Sequence, residues 1–366
     1  MVRRLLHCIP SLGGGGAERE LAYLVTGLAH RGWEVHVAIL REGPNHALVS
    51  ESAAAIHKIH ACTNYDPRIS KQLRHIIQNA DVTLVQTWLR QMDIFGGVAA
   101  IRAGVPWILS EVSSSAAYAR GLKDKVRAAL AQWASTIVCN SKGGAVFWQR
   151  RLTGRVPVLV IPNSLPLLAI EHTAPILAKE SGIPDTDQLI LSVVRWGAGK
   201  NVSTLLSACG YLPRSSSTTV ALCGEGTESD KMSAMCAKLG GGIRYRGLGY
   251  VSNIWAWMKR ADVLVSVSEF EGRPNAVLEA MACGCPLVVS DIPAHREFLD
   301  ESCAIFVNPH DPVSVARGVE ECISNASAAR IRSNAARERV LAWPVDQVIT
   351  AHEQLYSELL TRRRTA

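Results

Sequence analysis

The stretch from Ala261 to Glu297, ADVLVSVSEFEGRPNAVLEAMACGCPLVVSDIPAHRE, leaves few folds open to the chain that carries it. It begins with a Val-rich apolar run, Ala261 to Ser268, bounded by polar residues, which reads as a buried strand. A turn follows, Glu269 to Asn275, with Gly272 for an unusual backbone and Pro274 suited to a first helical turn. Ala276 to Cys283 reads as a short helix, Gly284 as its stop, and Pro286 to Ser290 as the next buried strand. The unit is strand, loop, helix, strand, which belongs to an α/β sheet. Its loop sits where such sheets bind ligands.

Glu271 lies in that loop and Glu279, eight positions on, in the helix. The backbone N–H groups between them point out of a helix N-terminus, which attracts phosphate. Carboxylates on either side accept hydrogen bonds from hydroxyls. The combination suits a ligand with phosphate in the middle and hydroxylated rings at both ends, as in a nucleotide-sugar; two surface acids would give the same spacing. The run EGRPNAVLEAMACGCPLVVSD resembles the E-x7-E signature of retaining glycosyltransferases of family 4, which carry the GT-B fold.

At 366 residues the chain suits two domains, and 48% hydrophobic content with 19% charge argues for globular α/β structure rather than disorder. The ten cysteines show no C-x2-C pair and no metal spacing; Cys283 and Cys285 are read as small packing residues, and the chain as cytoplasmic and reduced. The N-terminus is basic but lacks the apolar core of a signal peptide. No apolar run approaches the ~18 residues that cross a bilayer. Charge is uneven: residues 1–165 hold 19 Lys/Arg against 10 Asp/Glu, a net +9, and residues 166–366 hold 20 against 22, a net −2. An anionic partner for the first half is the better reading, and no motif makes that partner DNA or RNA.

Arg4 to Ile9 reads as a strand, followed by the Gly-rich loop that includes Gly14, Gly15 and Gly16. Ala17 to Arg31 is helical, with Leu21, Leu24, Val25 and Leu28 on one stripe, and Val35 to Leu40 is a second strand. G-x-G-x-x-G fails from Gly13, where the third glycine would be Glu18, and from Gly14, where it would be Arg19. A Walker A motif fails too, since Gly199-Lys200 is followed by Asn201 and position 194 is Val. LGGGGAERELAYLVTGLAHRGWEV resembles the family 4 opening, where this loop faces the donor phosphate and the acceptor.

Asp81 to Gln86 is read as a strand and Thr87 to Asp93 as a loop, with a helix from Ile94 to Ala103 and a strand from Val105 to Ser110. Many family members carry a His in that loop; here none is present, and the match is closest to a variant with Gln91 in its place. A helix is read from Ala116 to Trp133, with Arg120, Lys123, Lys125 and Arg127 at its front. Pro162-Asn163-Ser164 resembles the family's P-N-G at the end of the first domain, and Leu165 to Pro184 reads as the linker.

The second domain opens with Leu189 to Val194, which delivers Arg195-Trp196-Gly197-Ala198-Gly199-Lys200. Arg and Lys at that spacing can converge on a diphosphate, Arg by its fork and Lys as a point charge, or can be two solvated cations. The segment resembles the family's R-x4-K element, with Trp196 at a usually aliphatic position and read as packing. Gly224-Glu225-Gly226 is similar to the family's G-x-G loop near the nucleoside. Val345 to Leu360 is read as a final helix that in this fold crosses back onto the first domain.

The resemblance covers nearly the whole chain. It implies a GT-B fold of two Rossmann-like α/β domains facing each other across a central cleft: residues 1–165 on the acceptor side, with 345–366 packed back on them, and residues 166–344 binding the nucleotide-sugar. It implies a retaining glycosyl transfer from a UDP- or GDP-sugar. Arg195, Lys200 and the amides near Ala276 and Val277 would stabilise the leaving diphosphate in place of a metal, so no metal or other cofactor is expected. Glu279 would bind the ribose, Glu271 the donor sugar, and the amides of Gly272, Arg273, Pro274 and Asn275 its far hydroxyls. The expected acceptor is a saccharide, with a polyprenyl-diphosphate-linked one at an anionic inner-membrane surface favoured by the basic first half; Trp133, Phe147 and Trp148 are candidates for insertion there. Sugar-nucleotide epimerases share the fold, and a sugar-nucleotide binder without turnover is the third reading.

Overall fold

The computed structural model describes residues 3–113, 121–195, 199–213, 217–237 and 243–365. Ala116 to Arg120 and Trp196 to Ala198 lie outside them. The chain forms two compact units, one comprising residues up to Ser164 with the segment from Val345 onward, the other Leu165–Pro344.

The first unit is built on Arg4–Cys8 (β1), Glu34–Ile39 (β2), Ala55–Lys58 (β3), Leu84–Trp88 (β4), Trp107–Glu111 (β5), Thr136–Cys139 (β6) and Val158–Val160 (β7). They pair in the order β3-β2-β1-β4-β5-β6-β7, every neighbour parallel. The second unit carries Gln188–Val193 (β8), Thr218–Cys223 (β9), Arg244–Gly249 (β10), Val263–Ser266 (β11), Leu287–Ser290 (β12) and Ile305–Val307 (β13). Its order, β10-β9-β8-β11-β12-β13, is also wholly parallel. Parallel strands need covering on both faces, and β1, β4, β5 and β8 are accordingly buried along nearly their whole length.

Each sheet has an apolar cluster on either side. In the first unit Leu21, Leu24, Val25 and Leu28 of the helix Gly16–His30 pack beside Leu5, Val35 and Val37. The same cluster takes in Val348, Ile349, Leu355, Tyr356 and Leu359 of the C-terminal helix Val345–Thr365. Polar ties fix that helix: Glu353 pairs with Arg3 at 3.0 Å and Arg31 at 3.2 Å and accepts from Trp33 Nε1 at 3.2 Å. Tyr356 OH donates to Gln86, inside the sheet.

Three expectations change here. Leu165 to Pro184 is no linker: Leu165, Ile170 and Ile183 are core residues of the second unit, and two short helices, Leu167–His172 and Ala178–Ser181, fall within it. The prolines punctuate those turns. Thr87 to Asp93 is no loop either, because β4 runs to Trp88 and the helix Leu89–Ala103 starts at once, through Leu89 at φ 66°. Strand β3 and the helix Arg68–Asn79 fall in a stretch to which the sequence assigned no element; β3 is only half-buried and has no apolar run to betray it. Among the described residues no helix is long and apolar enough to cross a membrane.

Candidate active site

In the second sheet the strand order reverses between β8 and β11, the switch point at which open α/β sheets bind ligands beyond their carboxyl ends. The chain segments leaving these strands are stitched together: Glu269 N donates to Gly199 O at 2.9 Å. Gly199 has φ 82°, and a Cβ there would collide with the Phe270 ring, so both conformation and space demand glycine. Gly224, at φ 138°, abuts Val194 O in the same way, bringing the end of β9 against the end of β8.

This stitching brings Lys200 and Glu271 together. Lys200 Nζ donates to Glu271 Oε1 at 2.5 Å, with side chains 35% and 13% exposed, so water reaches the pair mainly from the lysine side. Arg195 is exposed where β8 ends, and no described residue pairs with it. Downstream, the helix Asn275–Ala282 has Pro274 as its N-cap and no side-chain cap. Val277 and Leu278 both donate to Pro274 O, at 3.1 and 3.2 Å, so the amide of Ala276 precedes the hydrogen-bonded ladder. A cation pair and an uncapped helix N-terminus at one switch point can hold a diphosphate.

Pro274 has no N–H, so the run of amides from Gly272 to Asn275 is interrupted. The Arg273 guanidinium lies 4.4 Å from the Trp343 ring centroid and 5.4 Å from that of Phe298. Glu279 sits on the buried face of its helix, 2% exposed, whereas Glu271 lies on the loop. Gly224 N donates to Gly249 O at 2.6 Å, and Thr227, fully buried, braces that turn through Leu222 O, Gly224 O and Gly249 N.

Sequence reasoning missed His295. It follows β12 in the short helix Pro293–Arg296 and is fully buried. Its Nδ1 lies 2.8 Å from Ser290 O, and Ser290 Oγ donates at 2.6 Å to Ser268 O on the segment that carries Glu271.

The first sheet reverses between β1 and β4. Gly14 and Gly16 are exposed, and Gly15 caps the helix Gly16–His30. The anion-attracting end of this helix is already occupied: Glu18 folds back so closely that a Cβ on Gly15 would meet its carboxylate, and Ser11 Oγ donates to Glu18 Oε1 at 3.4 Å. Gln91 lies in the first turn of Leu89–Ala103 and donates from Nε2 to Asn64 O at 2.5 Å. Arg41 reaches Asn64 Oδ1 at 3.3 Å and Lys123 lies 3.6 Å over the Tyr65 ring. Gln91 therefore holds the Asn64 segment, a partner the sequence did not reveal.

The basic helix is also revised. It spans Leu122–Ala131, with Lys123 and Lys125 exposed. Arg127 is buried, bonding Asp93 through Nε and Glu111 through Nη1, each at 2.8 Å. Burial pushes the Asp93 carboxyl up to about 6 against the pull of Arg127. Trp148 is buried and donates to Glu111 at 3.0 Å, so neither Arg127 nor Trp148 can face a membrane. Leu122 and Trp133, 77% and 73% exposed, are the large apolar side chains at that surface.

A family model for glycosyl transferases group 1 matches residues 174–339, and one for glycosyltransferase family 4 matches residues 14–167. The chain belongs to the family 4 glycosyltransferases. It is 28% identical over 171 residues to the N-acetylgalactosamine-N,N'-diacetylbacillosaminyl-diphospho-undecaprenol 4-alpha-N-acetylgalactosaminyltransferase of Campylobacter jejuni, and that match spans 46% of each chain, under half of the relative's length. It is 26% identical over 331 residues to the lipopolysaccharide core biosynthesis glycosyltransferase LpsE of Rhizobium meliloti, over 86% of this chain and 87% of the other. HepE of Anabaena, crystallised with UDP and glucose, superposes with a TM-score of 0.84 at 18% identity, over 97% of this chain and 100% of its own. The fold of this family 4 member is GT-B, as expected.

Proposed function

We propose that the protein transfers a sugar from a nucleoside-diphosphate sugar to a saccharide acceptor, with retention of anomeric configuration. The observation that carries this is the Lys200–Glu271 pair at the switch point, with Arg195 at the end of β8 and Pro274, which offers no side-chain cap, at the start of the helix Asn275–Ala282. Without donor, each charge neutralises the other. A diphosphate offers Lys200 a stronger anionic partner, which frees Glu271 to accept hydroxyls of the donor sugar. Lys200, Arg195 and the Ala276 amide then stabilise the leaving diphosphate as its charge develops, and no metal is required. Glu279 addresses the ribose. The acceptor attacks from the face the nucleotide leaves, within a tight ion pair. HepE, with UDP and glucose bound, supports the donor class, and the Campylobacter relative's name supports a polyprenyl-diphosphate-linked acceptor.

Incubation with UDP- and GDP-sugars, with and without lipid-linked oligosaccharide acceptors, tests this. Stoichiometric release of UDP or GDP with acceptor glycosylation is expected, undiminished by excess chelator. Interconversion of the sugar-nucleotide without release would make the protein an epimerase. Thermal stabilisation by a sugar-nucleotide without turnover would make it a binder. For the acceptor, the exposed Leu122 and Trp133 beside Lys123 and Lys125 favour an anionic lipid surface as its location. Sedimentation with anionic vesicles, lost on raising salt and absent with neutral ones, is the expected result. Equal partitioning onto both would leave a soluble acceptor.

A further inference from the structure

His295 is a polar group whose position the reaction described above does not explain. Ser290 O can only accept a hydrogen bond, so Nδ1 carries the imidazole proton and the tautomer is fixed. Nε2 is then a bare acceptor, buried and without a hydrogen-bond partner among the described residues. Buried acceptors are nearly always satisfied, and leaving one unmet costs stability. Two opposite charges reach this ring from the neighbouring segments, Glu271 after β11 and Lys200 after β8. In its own segment Asp291 and Arg296 are paired with each other at 2.7 Å, and Glu297 closes the short helix. While Lys200 and Glu271 remain bonded, their effects on the ring oppose each other, and burial keeps the imidazole neutral.

We propose that His295 is a positioning residue that replaces Lys200 as the counter-charge of Glu271 when Lys200 is drawn onto the donor diphosphate. One proton from solvent then adds to Nε2, turning the unmet acceptor into a donor, and the imidazolium balances the released carboxylate. Glu271 thereby stays ionised and in place to receive the donor sugar. The linkage through Ser290 to Ser268 holds imidazole and loop in register during the exchange. This rests on the glycosyl-transfer reading for its purpose but not for its test.

Lys200→Ala imitates the departure of Lys200 with no donor present. Histidine ring resonances of the full chain are followed from pH 5.5 to 8, with His295→Asn identifying the relevant signal among eleven histidines. In the wild type His295 stays neutral down to the acid end of that range. In Lys200→Ala its pKa rises by about one unit or more, as an unbalanced neighbouring carboxylate requires. In Lys200→Ala/Glu271→Gln it falls back. The same titration in wild type and Lys200→Ala, or a rise that survives Glu271→Gln, overturns the proposal. If His295→Asn does not fold, the signal is the one that moves in the single variant and returns in the double. Should the titration behave as stated while no UDP- or GDP-sugar binds, the transferase reading fails and the charge relay stands.

Discussion

Arg127 in the first unit and Lys200 in the second are both cations bonded to glutamate near the carboxyl edge of a parallel sheet. Arg127 is enclosed: its two carboxylates are themselves held by Thr87 Oγ1 and Trp148 Nε1, and water reaches none of them. Lys200 has one partner and a side chain one-third exposed. A caged ion pair cannot exchange partners without leaving a buried charge, whereas an open one can. The helix ends differ likewise. Neither Gly16–His30 nor Asn275–Ala282 is capped by the side chain of its N-cap residue, but Glu18 crowds the first of these ends. The two parallel sheets thus present one closed and one open ion pair near their carboxyl edges, and side chains make the difference.

The largest effect expected is on the caged pair. Arg127→Ala strands Asp93 and Glu111 and should cost about 3–5 kcal/mol of unfolding free energy, read by denaturant titration. Lys200→Ala should leave the midpoint nearly unchanged. Similar losses in the two variants would break the comparison.

Next comes nucleotide affinity. Lys200→Ala and Arg195→Ala should each weaken UDP or GDP binding by roughly tenfold, rising toward 100-fold if the diphosphate is well desolvated. Unchanged affinity in both, measured calorimetrically, would remove the diphosphate from this loop. Glu18→Ala in the first unit should not alter it.

A finer division separates the two acids. Glu279→Gln should weaken binding of the bare nucleotide, while Glu271→Gln should spare it and lower kcat on intact donor. Full transfer activity in Glu271→Gln would refute the role given to the loop.

A separate effect is the pH dependence of the first unit's stability. Burial pushes His7 down to about 3 and His352 down to about 4, so both are neutral when folded. The unfolded chain takes up their protons first, so the stability they contribute is full above about pH 6.5 and is lost as pH falls toward 4. Asp93, raised to about 6, acts in the opposite direction over part of that window. His352→Asn should flatten the fall in Tm between pH 6.5 and 4. An unchanged slope would place the acid sensitivity elsewhere.

Much of this molecule was legible in the order of residues. Runs such as Leu189–Val194 and Val263–Ser266 announce buried parallel strands, because a strand covered on both faces has no polar alternation. Gly199 and Gly224 stand where the backbone needs positive φ, and local sterics write that requirement into the sequence. The switch-point loops, with Arg195, Lys200 and Glu271, could therefore be found from spacing and resemblance. Partner choice could not. Whether Arg127 faces solvent or a carboxylate depends on helix rotation and on what Asp93 and Glu111, distant in sequence, bring to meet it. Gln91 bonding Asn64, Arg273 stacking on Trp343 and His295 tied through Ser290 to the segment of Glu271 are likewise decided by the packing of segments that no local pattern relates. Backbone conformation and burial are short-range or periodic properties and leave a trace in sequence. The pairing of long polar side chains is a choice among many nearby partners, and only the assembled tertiary structure makes it.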